Sequence, residues 1–430
     1  MSSSRPAPVT AGRGLGWRPG LGTVACLAIA MAVTAYLFSP PWWGEMGFDA
    51  KDLYAAGVVR AAGGDPYQIS QQAAAETRLF TPDAAHPYAP SPYGNPPAFT
   101  ALLALASRLN YVAFFVASMV VLVAAGLAGL EFLLDLSGWQ QRTLPRLFFL
   151  VTIPMAVDAF VGNPSALMLL ALGAGVWLVA RGRPLLGGIA LAGLAIKPQV
   201  GLPLAVVAVA TAPMAAREVG RRVRASAWAT VGVVLGLAAF GGVGVLLEGT
   251  RSTAQWWAGL TEYAGALGPQ AQSSAFTQSG LAGLPALLED RLWPPLAVAV
   301  VALAVIPVAG FALWRRRAEL RQSTLLPLAL GIACALALSP YLHLNDLVLA
   351  ALPLLLVAAQ RLGVVPRLTL LAWTIGSPAR LVLLTILAPV VAVNGPSRAG
   401  FGVLLIGVLL FAVLWGAIRY GPGQANKIVL

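Results

Sequence analysis

Long apolar runs, about 18 residues or more each, recur along this chain and are broken by short segments carrying arginine or proline. A backbone inside hydrocarbon must satisfy its own hydrogen bonds, so such runs fold as helices. The alternating pattern of a membrane barrel is absent. The class that follows is an all-α polytopic membrane protein. Composition agrees, with 58% hydrophobic and 10% charged residues and a mean hydropathy of +0.79. The 45 glycines and 32 prolines are tolerated in polytopic bundles.

About twelve spans are predicted. They lie near 21–39, 111–134, 147–162, 164–180, 185–197, 199–214, 226–247, 294–314, 324–341, 346–360, 368–393 and 401–419. Those between 147 and 197 are short and close together, as in broken or tilted helices. The stretch 96–109, "PPAFTALLALASRL", reads as a short, partly embedded helix. Residues 1–20 form a cytoplasmic tail, 21–420 a single integral membrane domain and 421–430 a second cytoplasmic tail. The run Leu21–Phe38 resembles a signal peptide. It is read as an uncleaved helix, because Pro40, Pro41, Trp42 and Trp43 follow it instead of small residues.

The net charge of +12 is explained by the placement of arginine. With the N-terminus inside, most of the 28 basic residues fall on inner loops and tails, among them Arg142, Arg146, Arg181 and Arg183. The loop at about 40–97 is then outside. It carries Glu45, Asp49, Asp52, Asp65, Glu76 and Asp83, six of the 16 acids. A second outer loop is predicted at about 248–292. No nucleic-acid partner is needed to account for the charge. Cys26 and Cys334 lie inside apolar runs, which argues against a disulfide framework. With two histidines, no zinc pattern occurs, and no metal or cofactor is expected.

Ionisable groups near or inside spans are the informative residues, because each is costly there. In "FDAKDLYAAGVVRAAGGDPY", Asp49 and Asp52 open a short amphipathic helix with Leu53, Tyr54, Ala56 and Val58 against the membrane surface. A carboxylate there is a candidate general base, or a helix-start residue. Lys197, one of three lysines, ends a span directly before Pro198. Its ammonium is placed for a phosphate, or for snorkelling to the interface. Tyr341, His343, Asn345 and Asp346 converge between two spans, where Asp346 also suits a helix cap. Asp158 lies inside a span one turn before the tight outer turn at Asn163 and Pro164. Pairing with an arginine or an amide would satisfy it equally. Arg380 sits in a long apolar stretch, facing a cavity and a lipid phosphate or marking a re-entrant break. No Gly-rich phosphate loop is present.

Taken as an ordered series, these segments resemble glycosyltransferase family 87, whose members are GT-C-type membrane enzymes. "FDAKDLYAAGVVRAAGGDPY" is similar to the family's Asp-containing first outer loop. "GNPPAFTALLAL" resembles a Tyr-Pro-Pro-Leu segment. "VGNPSALM…RGRPLLGGIALAGLAIKPQVGLPL" resembles a run of Gly-Gln-x-Asn, apolar span, Arg-rich turn and Gly-Leu-Ala-x-x-Lys-Pro. "SSAFTQSGLAGL", with Gln278, and "LSPYLHLNDLVLAALP" resemble two later elements. Asn163, Thr277 and Asn345 depart from the family's commoner residues.

The resemblance implies a GT-C-type bundle whose long first outer loop holds short amphipathic helices. It implies a polyprenyl-phosphate sugar donor, often mannose, a lipid or glycan acceptor, and transfer on the outer face with inversion. Asp49 fits the position of the base, with Asp52 second. Lys197 and Arg380 would bind the donor phosphate. Tyr341, His343, Asn345, Asp346, Asp158, Asn163 and Gln278 would bind sugar or acceptor. Lys197→Ala is then expected to raise the KM for the donor without unfolding the protein. The expected setting is the plasma membrane, with both termini cytoplasmic. A transporter or flippase is the alternative, but it calls for midplane polar groups and an internal repeat. A lipid-linked polymerase or ligase calls for a large late outer loop.

Overall fold

The protein was analysed as a computed structural model that describes residues 47–80, 93–137, 142–151, 153–215, 219–265, 325–338 and 345–353. All elements among the described residues are helical. They are α1 (Phe48–Ala61), α2 (Ile69–Leu79), α3 (Pro97–Ala106), α4 (Tyr111–Leu136), α5 (Thr143–Val151) and α6 (Ile153–Val161). Next come α7 (Ser165–Ala180), α8 (Pro184–Leu191), α9 (Pro198–Thr211), α10 (Val219–Gly265) and α11 (Leu325–Leu338). Short 3-10 turns at Ala192–Ile196, Ala212–Ala215 and Asn345–Ala350 complete the set. The predicted spans near 21–39, 294–314, 368–393 and 401–419, both tails and most of the second outer loop lie outside the described residues.

Two helices, Tyr111–Leu136 and Gly220–Gly259, are long and apolar enough to cross a membrane. Each leaves large apolar side chains uncovered, such as Val112, Val116 and Val120 on α4 and Leu246, 84% exposed, on α10. Such surface suits lipid better than water. The helices between them approach through glycine. A Cβ on Gly173 of α7 would lie 2.5 Å from the Gly129 carbonyl oxygen of α4. One on Gly188 of α8 would lie 2.0 Å from the Ala229 oxygen of α10. Without a hydrophobic drive between lipid-bathed helices, close backbone contact of this kind supplies the packing. The core gathers Leu130, Leu133 and Leu134 of α4, Met168, Leu169 and Leu172 of α7, Leu204 of α9, Ile332 and Leu336 of α11, and Leu347–Leu352.

Several boundaries differ from the sequence reading. The span placed at 147–162 is two helices, α5 and α6. Pro154 lies at the second position of α6, where it cannot donate to Leu150 and its ring would crowd that carbonyl. The span at 185–197 is α-helical only to Leu191 and tightens to 3-10 up to Ile196. Lys197 then leaves the helical region (φ −126°, ψ 85°), because Pro198 disfavours α geometry in the residue before it. The boundary placed at about 248 coincides with a break at Gly249, and the residues after it are helical up to Gly265. α10 is two helical stretches joined at Gly249, whose backbone is non-helical (φ +86°, ψ 164°). The span placed at 346–360 opens as a 3-10 turn.

The described parts of the segment predicted as the first outer loop are folded onto the bundle. α1 does not rest its apolar face on the membrane surface. Ala50, Leu53, Tyr54 and Ala56 pack with Tyr93, Leu103, Phe114 and Phe115 of the loop, α3 and α4. Tyr54 donates to the Leu109 carbonyl at 2.9 Å, and Tyr111 donates to the Gly47 carbonyl at 3.2 Å. At its far end Arg60 pairs with Glu248 of α10 at 2.6 Å.

Candidate active site

The site forms where α1, the α6–α7 turn, the α8–α9 break and the Asn345–Ala350 turn meet. The α6–α7 turn is shaped by Gly162, with φ +77°. A Cβ there would sit 2.5 Å from the Ala50 Cβ, so glycine is required both for the turn and for the approach of α1. The Gly47 N–H donates to the Phe160 carbonyl at 2.8 Å, which ties the start of α1 to the same turn. Asp49 therefore faces Asn163 although the two residues are far apart in sequence.

Asn163 Nδ2 donates to Asp49 Oδ2. Asn163 Oδ1 accepts from Lys197 Nζ at 3.1 Å and from the Ser165 backbone N–H at 3.2 Å. Lys197 Nζ also donates to Asp346 Oδ1 at 2.7 Å, an ion pair in which Asp346 is fully buried and the lysine side chain 12% exposed. Ser165 Oγ lies 2.5 Å from Asp346 Oδ1 and 2.7 Å from Asn163 Oδ1. Its single hydroxyl proton serves one acceptor at a time, and the carboxylate is the stronger. Beneath them Asp158, fully buried, accepts the Ala166 N–H on Oδ2 at 3.1 Å. Its Oδ1 has no hydrogen-bond partner among the described residues.

The sequence-predicted residues are placed as follows. Asp49 stands in the first turn of α1, whose N-cap is Gly47, and makes no side-chain cap bond there. Asp346, in the first turn of its 3-10 segment, turns its Oδ1 to Lys197 and Ser165. Lys197 does not snorkel; it bends inward to Asp346 and Asn163. Asp158 accepts the Ala166 N–H at the first turn of α7 on Oδ2, and its Oδ1 has no hydrogen-bond partner among the described residues. Asp52 sits one turn beyond Asp49, and its backbone carbonyl accepts from Gln72 Nε2 at 3.1 Å. Asn345 is placed only through its backbone at the head of the 3-10 turn. Tyr341, His343, Gln278 and Arg380 lie outside the described residues.

Ser165 completes the network and is missing from the sequence expectation. Its signal is modest, a small hydroxyl residue two positions after Asn163 at the start of a helix. Glu76 is also missing. It is buried in α2 beside Gln72, whose Nε2 donates to its Oε1 at 2.6 Å. Burial pushes the Glu76 carboxyl up to about 7, against the opposing pull of that hydrogen bond.

Among the described residues, no group of three or more His, Cys, Asp or Glu side chains is placed to hold a metal ion. The cluster has instead one ammonium among three carboxylates, Asp49, Asp158 and Asp346, joined through an amide and a hydroxyl. Such an arrangement can hold a carboxylate in a fixed direction and can offer donors to an oxygen-rich ligand.

The fold and site define a helical membrane protein with a buried polar centre at one end of its bundle. The model of glycosyltransferase family 87 matches residues 93–340, more than half of the sequence, and the chain belongs to that family of sugar-transferring enzymes. The matched region contains Asp158, Asn163, Ser165 and Lys197; Asp49 and Asp346 lie to either side of it. No curated protein matches the chain.

Proposed function

We propose that the enzyme transfers a hexose, mannose being the first candidate, from a polyprenyl-phosphate donor to a hydroxyl of a lipid or glycan acceptor on the outer face of the membrane. Asp49 is the general base. The acceptor O–H gives its proton to Asp49, the acceptor oxygen bonds to the anomeric carbon, and the bond from that carbon to the phosphate oxygen breaks. Polyprenyl phosphate departs, and in-line attack inverts the anomeric centre. The observation that carries this reading is the hydrogen bond from Asn163 to Asp49, which joins the first outer loop to the polar centre of the family-matched bundle.

The charge balance limits what Lys197 does. Its charge is matched by Asp346, and two of its three N–H groups are used within the protein. Its contribution to the departing phosphate is the third N–H, and a second cation, for which Arg380 is the sequence candidate, supplies the compensating charge. Asp158 caps the start of α7 through its bond from the Ala166 N–H.

Membranes containing the protein test this when supplied with polyprenyl-phosphate mannose labelled in the sugar. Label should enter a new glycolipid or glycan with the opposite anomeric configuration, read by NMR or by anomer-specific mannosidases. Retained configuration, or transfer only from a nucleotide sugar, would contradict it. So would movement of the intact lipid across vesicles without transfer.

A further inference from the structure

Side-chain amides are ordinarily ambiguous, because oxygen and nitrogen look alike. At Asn163 the chemistry removes the ambiguity. One end of its amide meets Lys197 Nζ and the Ser165 backbone N–H, and neither group can accept a hydrogen bond. That end is the oxygen. The other end must be the NH2, and it points at Asp49 Oδ2. The direction is anchored further back, since Lys197 is itself held by the fully buried Asp346. Asn163 is only 6% exposed, so the amide has little room to swing.

We propose that Asn163 is the positioning residue for Asp49. Its NH2 holds one oxygen of the carboxylate, so that the other is presented to the acceptor hydroxyl, and the Lys197–Asp346 pair locks the amide in that direction. This rests on the reading of Asp49 as the base. It gives the buried ion pair a task in the transfer step distinct from binding sugar or phosphate. A general base works only within hydrogen-bond reach of its proton, and a small misplacement of a reacting group costs about 10²-fold in rate.

Asn163→Asp separates this role from a structural one. It is nearly isosteric and keeps an acceptor for Lys197 and the Ser165 N–H, so the turn retains its internal bonds. It removes the NH2 that holds Asp49. Transfer from polyprenyl-phosphate mannose is measured in membranes for wild type, Asn163→Asp, Asn163→Gln and Asp49→Asn, with a thermal melt of each purified protein. The expected result for Asn163→Asp is a kcat about 10²-fold lower with the donor KM within about threefold of wild type. Asn163→Gln, which keeps the amide, should retain more of the kcat than Asn163→Asp. Should Asn163→Asp fail to fold, the comparison of Asn163→Gln with Asn163→Ala carries the test, and equal kcat losses in the two would overturn the proposal. A folded Asn163→Asp with wild-type kcat would overturn it while an inactive Asp49→Asn left the base assignment standing. An active Asp49→Asn would overturn both.

Discussion

The two ends of α7 both gather charge, and they do so in opposite ways. At its start, Asp158, Asp346 and Asp49 surround a single ammonium, Lys197, and two of those carboxylates are fully buried. At its other end, about 24 Å away at the rise of an α-helix, Arg142, Arg146 and Arg181 pair with Glu131 and Asp135 of α4. The arginines there remain partly exposed, and Trp177 both donates to Asp135 at 2.7 Å and lies under Arg181. The basic cluster satisfies each of its carboxylates with a surplus of donors. Among the described residues the acidic cluster has one cation for three carboxylates, and one carboxylate oxygen of Asp158 is without a hydrogen-bond partner. Charge that is only structural ends up paired and accessible. Charge that is buried and in excess is where the proposed function places the reaction.

The contrast can be broken most severely at the buried end. Lys197→Ala leaves Asp346 as an uncompensated buried charge, so a loss of about 3–5 kcal/mol is expected in a detergent unfolding titration, with activity lost as well. This replaces the expectation that Lys197→Ala would alter only the donor KM. A paired Lys197→Met/Asp346→Leu protein should recover most of that stability and none of the activity. Recovery of both would make the ion pair dispensable.

Gly162→Ala should be next in size. The added methyl meets the Ala50 Cβ and a positive φ together, and a cost of about 1–3 kcal/mol is expected, with reduced kcat as α1 is pushed from the turn. A Gly162→Ala enzyme of unchanged Tm and rate would show that α1 docks elsewhere.

Glu76 offers a pH test of the loop's attachment. Its carboxyl is raised to about 7 by burial, above its ordinary value of 4.5. Between those values the native state holds a proton that the unfolded chain has released, so the Glu76 contribution to stability falls as pH rises from about 4.5 to 7. Glu76→Gln should flatten that slope in Tm against pH and raise the Tm most at pH 8. An unchanged slope would remove Glu76 as its source. At the other end of α7, Arg142→Ala should cost about 0–1 kcal/mol, because partly exposed ion pairs are weak. A loss as large as that of Lys197→Ala would erase the distinction between the two ends.

Helices were legible where apolar period and breakers agree. α3 lies within the predicted 96–109, and α7 within 164–180. Lys197 was visible because a lysine before Pro198 in an apolar run is costly, and the non-helical backbone at Lys197 follows from the same proline. The partners of that lysine were not legible. Nothing local to Asp346 or Asn163 announces that three helix ends converge, since the meeting depends on glycine contacts between α4, α7, α8 and α10. The break near 248 was legible and falls at Gly249, while the helical form of the residues after it was hidden by their polar composition, which reads as loop. Ser165 was overlooked because a serine at a helix start has an ordinary explanation.

The central claim is that Asp49 is the base, and the direct test compares Asp49→Asn with Asp52→Asn for transfer of labelled mannose from polyprenyl-phosphate mannose in membranes. The account predicts a loss of about 10²–10⁴-fold for Asp49→Asn, with the protein folded and inserted, and less than about tenfold for Asp52→Asn. A fully active Asp49→Asn, or a loss confined to Asp52→Asn, would contradict it.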